Sequence, residues 1–515
     1  MSLFRAIATV GGLTMISRVA GFVRDLLIAR YLGAGPVADA FFVSLRLPNF
    51  FRSLFAEGAF TAGFLPLFSR TEAKEGRVAA QHFAERALSL LLVTTLAFTL
   101  VAQIAMPLVI LILAPGFAND PLRFPLSVSL TIITFPYLLF ISLASLYGAI
   151  LNCFGRFFAM AATPIMLNLV MIAGMLWLTP YTPNAGYALA WSTLIGGILQ
   201  FLWLAWDVRR AGLSLRLRRP VINDKVRRLF RLVLPAALGA GATQVNLVVG
   251  LVLASLLPAG AVSYLFYADR INQLTVGVVG AAIATALLPT LAGQLARDNH
   301  AAARYTQNRA MEFGLLLALP SCVALLVIPF PIVSILFQRG EFDLATARET
   351  ASTLFAYAFG LPGFVLSRTL TPSFHARQDT KTPVKLALVT IAVNVGLSLA
   401  LLPVMAHAGL ALATAVAANV NTLLLLITLY RRGHWQADDR LKQRAPLILL
   451  SAAAMGVLLV LLDRFALPDW YAGGFWLRVS ALIVLVGSGL LVYLLSTILL
   501  GATRPGEWKA ILRRS

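Results

Sequence analysis

The sequence is poor in charged residues and in cysteine. Only 12% of its 515 residues are Asp, Glu, Lys or Arg, about half of the roughly 25% that soluble domains carry. The two cysteines, Cys153 and Cys322, lie far apart in the chain. This pattern excludes a disulfide framework and a CxxC metal site, so both are expected to be ordinary packing thiols.

Catalytic signatures are also missing. The five histidines are scattered, and there is no nucleophile elbow, phosphate-cradling Gly-rich loop or HExxH motif. No ATP-binding domain is recognisable, so transport would have to draw on an ion gradient, the membrane potential or substrate turnover. We therefore predict no enzyme activity, no cofactor and no metal site.

Apolar residues dominate instead. They make up 59% of the chain, and runs of about 20 such residues recur from end to end. Each run is long enough to cross roughly 30 Å of hydrocarbon as a helix. We predict an all-α polytopic membrane protein with fourteen transmembrane helices. The predicted spans are 10–30, 36–64, 87–113, 124–151, 158–179, 186–206, 232–257, 262–294, 312–336, 347–374, 384–403, 408–430, 447–462 and 475–501.

The distribution of basic residues predicts the orientation. A net charge of +21 would suit nucleic-acid binding, but Lys and Arg crowd into short connectors rather than onto one soluble face. With the N-terminus inside, the cytoplasmic connectors hold thirty Lys and Arg, nine of them in 207–231, and the opposite connectors hold three. The positive-inside rule therefore places both termini in the cytoplasm. The basic connector is expected to touch anionic lipid headgroups, and no nucleic-acid partner is expected.

An internal repeat divides the chain. Residues 59–66 (AFTAGFLP) match 282–289 (AIATALLP) at an offset of 223, which also pairs Asn49 with Asn272 and Phe41 with Tyr264. The offset spans six predicted helices, so the halves have parallel topology, and duplicated transporters place substrate between such halves. We predict two pseudo-symmetric six-helix lobes at 1–210 and 232–432. A basic cytoplasmic linker at 211–231 joins them, and 433–515 adds helices 13 and 14 and a cytoplasmic tail.

Charged residues concentrate in the first two helices of each half. A charge at mid-bilayer costs roughly 2.5–3.5 kcal/mol on insertion scales, so charged residues in the predicted spans require a structural or functional explanation. Structural ion pairs are one alternative, but arginines outnumber acids. Guanidinium groups bind phosphate oxygens bidentately, so the excess predicts an anionic substrate, with phosphate or diphosphate the natural candidate. The arginines are Arg18, Arg24, Arg46, Arg52 and Arg270, and the acids are Asp25, Asp39, Glu57 and Asp269.

The spacing of these charges suggests a shared cavity. Arg18 and Arg24 are six residues apart and could not share a face of a straight helix, but a bend at Gly21 would let both point into one cavity. In the second helix, Asp39 and Arg46 fall on one face. Asp39 and Glu57 would then keep an empty site from holding only unpaired cations.

Several motifs resemble one family over essentially the whole chain. They are MISRVAGFVRD at 15–25, DAFF at 39–42, RSLFAEGAF at 52–60, APGF at 114–117, YADR at 267–270 and RQDTKTPVK at 377–385. The pattern Arg-x-x-Phe-Ala-Glu-Gly-Ala-Phe is specific, whereas APGF alone is not. On these motifs the sequence resembles the MurJ (MviN) lipid II flippases of the multidrug/oligosaccharidyl-lipid/polysaccharide exporter superfamily.

The resemblance implies a bacterial inner-membrane protein that moves lipid II to the periplasmic leaflet. It implies two lobes forming a V, alternating access around a central cavity, and a groove beside helices 13 and 14 for the polyprenyl tail. Lipid II, membrane lipids and cell-wall synthesis proteins are the expected partners of a monomer. The resemblance carries substrate binding over to Arg18, Arg24, Arg52 and Arg270, and the role of charge partners and gating residues to Asp39, Glu57 and Arg46. From their positions beside these charges we also predict that Asn49 and Ser263 bind substrate and that Asp25 and Asp269 are charge partners or gating residues.

Some members of the family are thought to bind sodium through acidic residues on helices 7 and 11. This sequence has Asn394 in that region and no Asp or Glu in either predicted span. A sodium site is therefore not expected here.

Three alternatives stay open. A multidrug or cation-coupled exporter of the same superfamily would favour a carboxylate-dominated site, which the excess of arginine argues against. A flippase for another lipid-linked saccharide would also need a cationic site for its anionic substrate, so only the motifs separate it from a lipid II flippase. A non-transporting scaffold for cell-wall enzymes would tolerate neutral residues at the arginine positions.

Overall fold

The protein is helical throughout the part of the chain that can be described. The structure, a computed structural model, describes residues 3–55, 59–219, 224–467, 470 and 473–504. Within these ranges every regular element is a helix and no strand occurs, so the predicted all-α class is confirmed.

Eighteen helices are described, and short 3₁₀ or π turns follow some of them. In chain order they are α1 (Leu3–Leu32), α2 (Pro36–Phe55), α3 (Ala59–Glu75), α4 (Arg77–Ile104), α5 (Met106–Leu113), α6 (Arg123–Thr134), α7 (Tyr137–Cys153), α8 (Phe157–Ala173), α9 (Ala185–Arg210), α10 (Asp224–Ser255), α11 (Ala261–Leu295), α12 (His300–Val327), α13 (Pro329–Phe337), α14 (Leu344–Ala358), α15 (Leu361–His375), α16 (Lys381–Arg431), α17 (Asp439–Leu461) and α18 (Phe475–Leu499).

Short polar side chains fix where several helices begin. Asn184 accepts hydrogen bonds from the backbone N–H groups of residues 186 and 187 at the start of α9. Asn299, Asp343 and Asp438 cap α12, α14 and α17 in the same way. Each cap satisfies a backbone donor that has no partner within the helix.

Eight segments among the described residues are long and apolar enough to cross a membrane. The count becomes nine if α14 and α15, which meet at a 42° bend, form one broken span. The chain is therefore a multi-pass membrane protein. The number fourteen and the two-lobe arrangement stay predictions.

Helix α16 reverses direction at its centre. It runs for 51 residues and would be about 76 Å long if straight, yet Arg432 just after its end donates to Asp379 just before its start at 2.7 Å. Ala406, with φ 46° and ψ −127°, breaks the helical conformation. Thr390 also donates to Asn421 across the two arms at 3.2 Å. The break lies in the connector predicted between spans 384–403 and 408–430.

Packing divides the chain into two compact units. The first is Met1–Ser263 with Arg339–Phe342, and the second is Tyr264–Gln338 with Asp343–Ser515. The predicted lobe boundaries are drawn by a different criterion, the sequence repeat, and stay predictions.

Two glycines hold segment 339–342 against α1 in the first unit. Gly33 and Gly340 have φ of 58° and 57°, a conformation that favours glycine. The backbone N–H of Glu341 donates to the carbonyl of Arg30 at 3.0 Å. A Cβ at Gly33 would come within 2.3 Å of the Glu341 carbonyl oxygen, and one at Gly340 within 2.3 Å of the Arg30 carbonyl oxygen. Only glycine permits this backbone approach at either position.

Close packing at small residues joins α12, α17 and α18 in the second unit. A Cβ at Gly456 of α17 would lie 2.6 Å from Val323 of α12, and one at Gly489 of α18 would lie 3.1 Å from Leu459 of α17. The hydroxyl of Tyr493 donates to the Leu316 carbonyl at 2.6 Å. Small residues that let helices approach, together with interhelical hydrogen bonds, are typical of membrane helix packing.

Candidate functional site

Arg24 of α1 is held in place by two neighbours. Its Nε and Nη2 donate to Asp25 Oδ1 at 3.0 and 2.7 Å, and its Nη1 donates to Asn168 Oδ1 of α8 at 2.9 Å. Of the five N–H groups of arginine, one has no acceptor within the described part of the chain, and a second faces the weak acceptor Met171 Sδ at 4.0 Å. The side chain is 16% exposed, so a ligand could still reach it.

Asn168 is the residue that orients Arg24, and the sequence analysis missed it. Its Nδ2 donates to the backbone carbonyl of Ser17 at 3.1 Å, so it bonds to two points of α1 that are about two helical turns apart. Gly21 lies between them, where a Cβ would come within 3.4 Å of Asn168 Nδ2. Asn168 is the one amide side chain in the predicted span 158–179, which contains no charged residue, and that was the available signal.

The other predicted residues of α1 and α2 differ in exposure. Arg18 is exposed and makes no hydrogen bond or ion pair with the described part of the chain. Asn49 is exposed, and Arg46 and Arg52 are half-buried. Glu57 lies outside the described residues, so its predicted role as a charge partner stays a prediction.

Asp39 is fully buried at the N-terminus of α11. Its Oδ1 accepts from Ser263 N at 2.9 Å and from Ser263 Oγ at 2.6 Å, and its Oδ2 accepts from Gly260 N at 2.8 Å. A carboxylate in this position satisfies unpaired backbone donors and complements the positive end of the helix dipole. Ser263 was predicted to bind substrate, but its hydroxyl is fully buried and donates to Asp39.

Arg123 completes this buried network, and sequence reasoning had counted it only as a connector charge. Its Nη1 lies 4.0 Å from Asp39 Oδ2 and donates to the Leu257 carbonyl at 3.0 Å. Its Nε donates to Asp120 Oδ2 at 2.6 Å, and the guanidinium lies 4.5 Å from the ring centre of Phe117. The backbone amide of Arg123, followed by its guanidinium, lowers the pKa of Asp120.

In the second unit, Asp269 and Arg270 lie in the third turn of α11, and both are half-buried. The guanidinium of Arg270 lies 4.6 Å from the ring centre of Phe266, a cation–π contact that supports the side chain without neutralising it. Gln273 donates to the Asp269 carboxylate.

No group of three or more His, Cys, Asp or Glu side chains within the described ranges could hold a metal ion. Asn394 is buried and accepts from Thr414 Oγ1 at 3.4 Å.

Comparison with known proteins identifies the family. The family model described as "Lipid II flippase MurJ" matches residues 28–481. A probable lipid II flippase MurJ from Rhizobium meliloti (strain 1021) is 43% identical over 96% of this chain and 93% of its own length. The lipid II flippase MurJ of Burkholderia cenocepacia is 37% identical over 85% of both chains.

Solved structures agree with the sequence matches. A lipid II flippase MurJ in an inward closed conformation superposes with a TM-score of 0.79 at 26% identity, covering 95% of this chain and 97% of that one. An inward-facing multidrug MATE transporter of the MOP superfamily reaches a TM-score of 0.70 at 14% identity over 83% of this chain, which shows a shared fold alone. MurJ proteins are transporters rather than enzymes, which confirms that prediction. With a family model covering most of its length and full-length relatives above 40% identity, this chain belongs to the MurJ family of lipid II flippases.

Proposed function

We propose that this chain flips lipid II from the cytoplasmic to the periplasmic leaflet of the bacterial inner membrane. The observation that carries the proposal is the state of Arg24, which Asp25 and Asn168 orient without using all of its donors. A purely structural arginine would be expected to have its hydrogen-bonding capacity consumed. Among the described residues, Arg24 pairs with Asp25 but keeps one N–H group without an acceptor, and its side chain is 16% exposed.

The substrate diphosphate is the proposed ligand of this arginine. It offers several anionic oxygens, and charge-assisted hydrogen bonds to arginine are about twice as strong as neutral ones. Arg18 is exposed on the same helix and available for the same ligand. We place Arg52 and Arg270 in the same role, with Asp25 as the charge partner of Arg24.

Transport would proceed by alternating access between the two predicted lobes, with fourteen spans in all. The Asp39 hydrogen bonds to residues 260 and 263 lie on the predicted periplasmic side and join the two predicted lobes. They would therefore hold that side shut and break when it opens. An inside-negative potential favours outward movement of an anion by roughly 2.3 kcal/mol per charge per 100 mV.

The test is complementation in a bacterium depleted of its own flippase. Wild type should restore growth, whereas Arg18→Ala, Arg24→Ala and Arg270→Ala should leave precursor accumulated in the inner leaflet at normal expression. Arg297→Ala is the matched control, because Arg297 is exposed in a predicted cytoplasmic connector. A well-expressed wild type that fails to rescue would point to another lipid-linked saccharide. Growth supported by all three variants would favour a scaffold.

A further inference from the structure

An apolar groove of about 560 Å³ lies on the first unit between α1, α8 and α9. Leu13 of α1, Trp203 of α9 and residues of one face of α8, from Phe158 through Ile165 to Ala173, line it. The other lining side chains are those of Ala162, Met166, Leu169 and Val170. The one polar side-chain atom, Trp203 Nε1, already donates to the Ala159 carbonyl at 3.3 Å. The groove therefore offers no hydrogen bond and fits a hydrocarbon.

The shape of the groove suits a single extended chain. Its α8 wall runs over sixteen residues, from Phe158 to Ala173, and the fifteen rises of 1.5 Å between them correspond to about 22 Å. One leaflet contributes roughly half of a 30 Å hydrocarbon core. An acyl chain lying along α8 would fit within that length, whereas the several-fold longer polyprenyl tail of lipid II would extend far beyond it.

Basic residues surround one end of the groove. Arg156 precedes Phe158 by two residues, and its side chain is 39% exposed although it pairs with Asp207 at 2.8 Å. At the end of α9, Arg209 and Arg210 are exposed, and the guanidinium of Arg210 lies 3.9 Å from the ring centre of Trp206. Three cations thus accompany one acid at this end.

Tryptophans mark the same end as a membrane interface. The rings of Trp203 and Trp206 lie 5.5 Å apart, and tryptophan is enriched at the level of the lipid headgroups. The predicted orientation places this end on the cytoplasmic side, where the leaflet carries anionic lipids.

We propose that this groove binds an anionic phospholipid of the cytoplasmic leaflet, with one acyl chain along α8 and the phosphate beside Arg156 and Arg210. The apolar lining of the groove fits the acyl chain of the lipid, and the excess positive charge at its end complements the anionic headgroup. Arg24 and the α8 residues that it contacts, Asn168 and Met171, do not line the groove, and the proposal does not depend on the transported substrate. Because Leu13 belongs to α1, the bound lipid would bridge α1 to α8 and α9.

The experiment uses the full-length protein in detergent, titrated with phosphatidylglycerol or phosphatidylcholine and followed by native mass spectrometry and thermal unfolding. Phosphatidylglycerol should bind more tightly and raise the unfolding midpoint more. Arg210→Gln, which leaves the Arg156–Asp207 pair intact, should weaken phosphatidylglycerol binding about fivefold, because one juxtamembrane basic residue contributes about that factor. Arg297→Gln should bind like wild type.

A second variant tests the groove itself. Ala162→Trp fills it from the α8 wall and should reduce binding of both lipids, with Ala162→Leu giving a smaller loss if tryptophan prevents folding. Equal binding of the two lipids by wild type, or unchanged phosphatidylglycerol binding by Arg210→Gln, would contradict the proposed recognition of an anionic headgroup. Unchanged lipid binding by both Ala162 variants would contradict the assignment of the acyl chain to this groove. Displacement of phosphatidylglycerol by lipid II in Arg24→Ala would assign the groove to the substrate tail instead.

Discussion

The Asp39 carboxylate accepts three hydrogen bonds from residues 260 and 263 and has Arg123 nearby. Asp39→Asn replaces one acceptor oxygen with an NH₂ group that would face a backbone donor. Because a buried donor left unsatisfied costs about 1–3 kcal/mol, we expect a clear drop in the unfolding midpoint of the purified protein. Ser263→Ala removes only the hydroxyl bond and should lower the midpoint less. The reverse order would contradict the assignment of the backbone donors.

Asn168 allows the orientation of Arg24 to be tested separately from its charge. Asn168→Leu keeps a similar size but removes the 2.9 Å hydrogen bond to Arg24. Since hydrogen bonds to charged groups contribute about 1.5–3 kcal/mol, lipid II flipping in proteoliposomes should fall about tenfold or more.

The matched control for Asn168 is Ser17→Ala. Asn168 bonds to the backbone carbonyl of Ser17 rather than to its hydroxyl, so this variant should flip at the normal rate. A normal rate of lipid II flipping by Asn168→Leu would contradict the role of Asn168 in orienting Arg24 and leave it a role in helix packing alone.

Glu312 links helices α12 and α17 in the second unit. It is buried and accepts from Arg444 Nη1 at 2.7 Å and Arg440 Nη2 at 3.1 Å, and Arg309 also contacts it. Glu312→Gln removes the charge that balances the buried Arg444. Breaking a buried ion pair from one side costs about 3–5 kcal/mol, so thermal stability should fall strongly.

Two companion variants make the Glu312 prediction specific. Lys442→Ala removes a solvent-exposed cation whose partner Asp439 is also exposed, and such pairs contribute about 1 kcal/mol or less. Lys442→Ala should therefore have little effect on thermal stability. Adding Arg444→Met to Glu312→Gln should recover part of the stability, and no recovery would argue that the pair is not the cause.

Asp379 contacts both ends of α16, through Thr382 at its start and Arg432 just after its end, and this pair of contacts predicts a pH dependence. The hydroxyl and backbone amide of Thr382, together with the Arg432 guanidinium, lower the pKa of Asp379. A lowered folded-state pKa gives stability that is present above the unfolded value of about 3.9 and is lost as the pH falls further. The midpoint difference between wild type and Asp379→Asn should therefore be full at pH 6–7 and shrink below about pH 4.

Asp298→Asn serves as the control for this pH series, because the Asp298 side chain is 98% exposed. Its difference from wild type should stay near zero at every pH. If the difference in unfolding midpoint between wild type and Asp379→Asn grew as the pH fell, the predicted direction of the pKa shift of Asp379 would be wrong.

The orientation of the whole chain can be tested by thiol labelling. In a background with Cys153→Ala and Cys322→Ala, we expect Asn119→Cys to react with a membrane-impermeant maleimide in intact spheroplasts. Asp298→Cys should react only after lysis, because the positive-inside rule places it in the cytoplasm. Both positions are exposed. Labelling in the opposite pattern would invert the topology.

The sequence predicted the helical class because local hydropathy identifies membrane spans, and it predicted the break near Ala406 as the connector between the spans 384–403 and 408–430. The partnership of Arg24 and Asp25 was visible as adjacent residues. Asn168 and Arg24 are 144 residues apart, and Asp39 and Ser263 are 224 apart. No local periodicity encodes such pairs, because they depend on which helices pack together.

The donors that bind Asp39 also restrict how this protein family can diverge. Two of the three come from the main chain, at residues 260 and 263. Mutation cannot delete a main-chain donor except by introducing proline, so these two bonds survive a substitution at residue 263, which would remove only the hydroxyl bond. The acid on α2 has no such backbone substitute, and selection in an alignment of homologues should therefore fall more strongly on residue 39 than on residue 263.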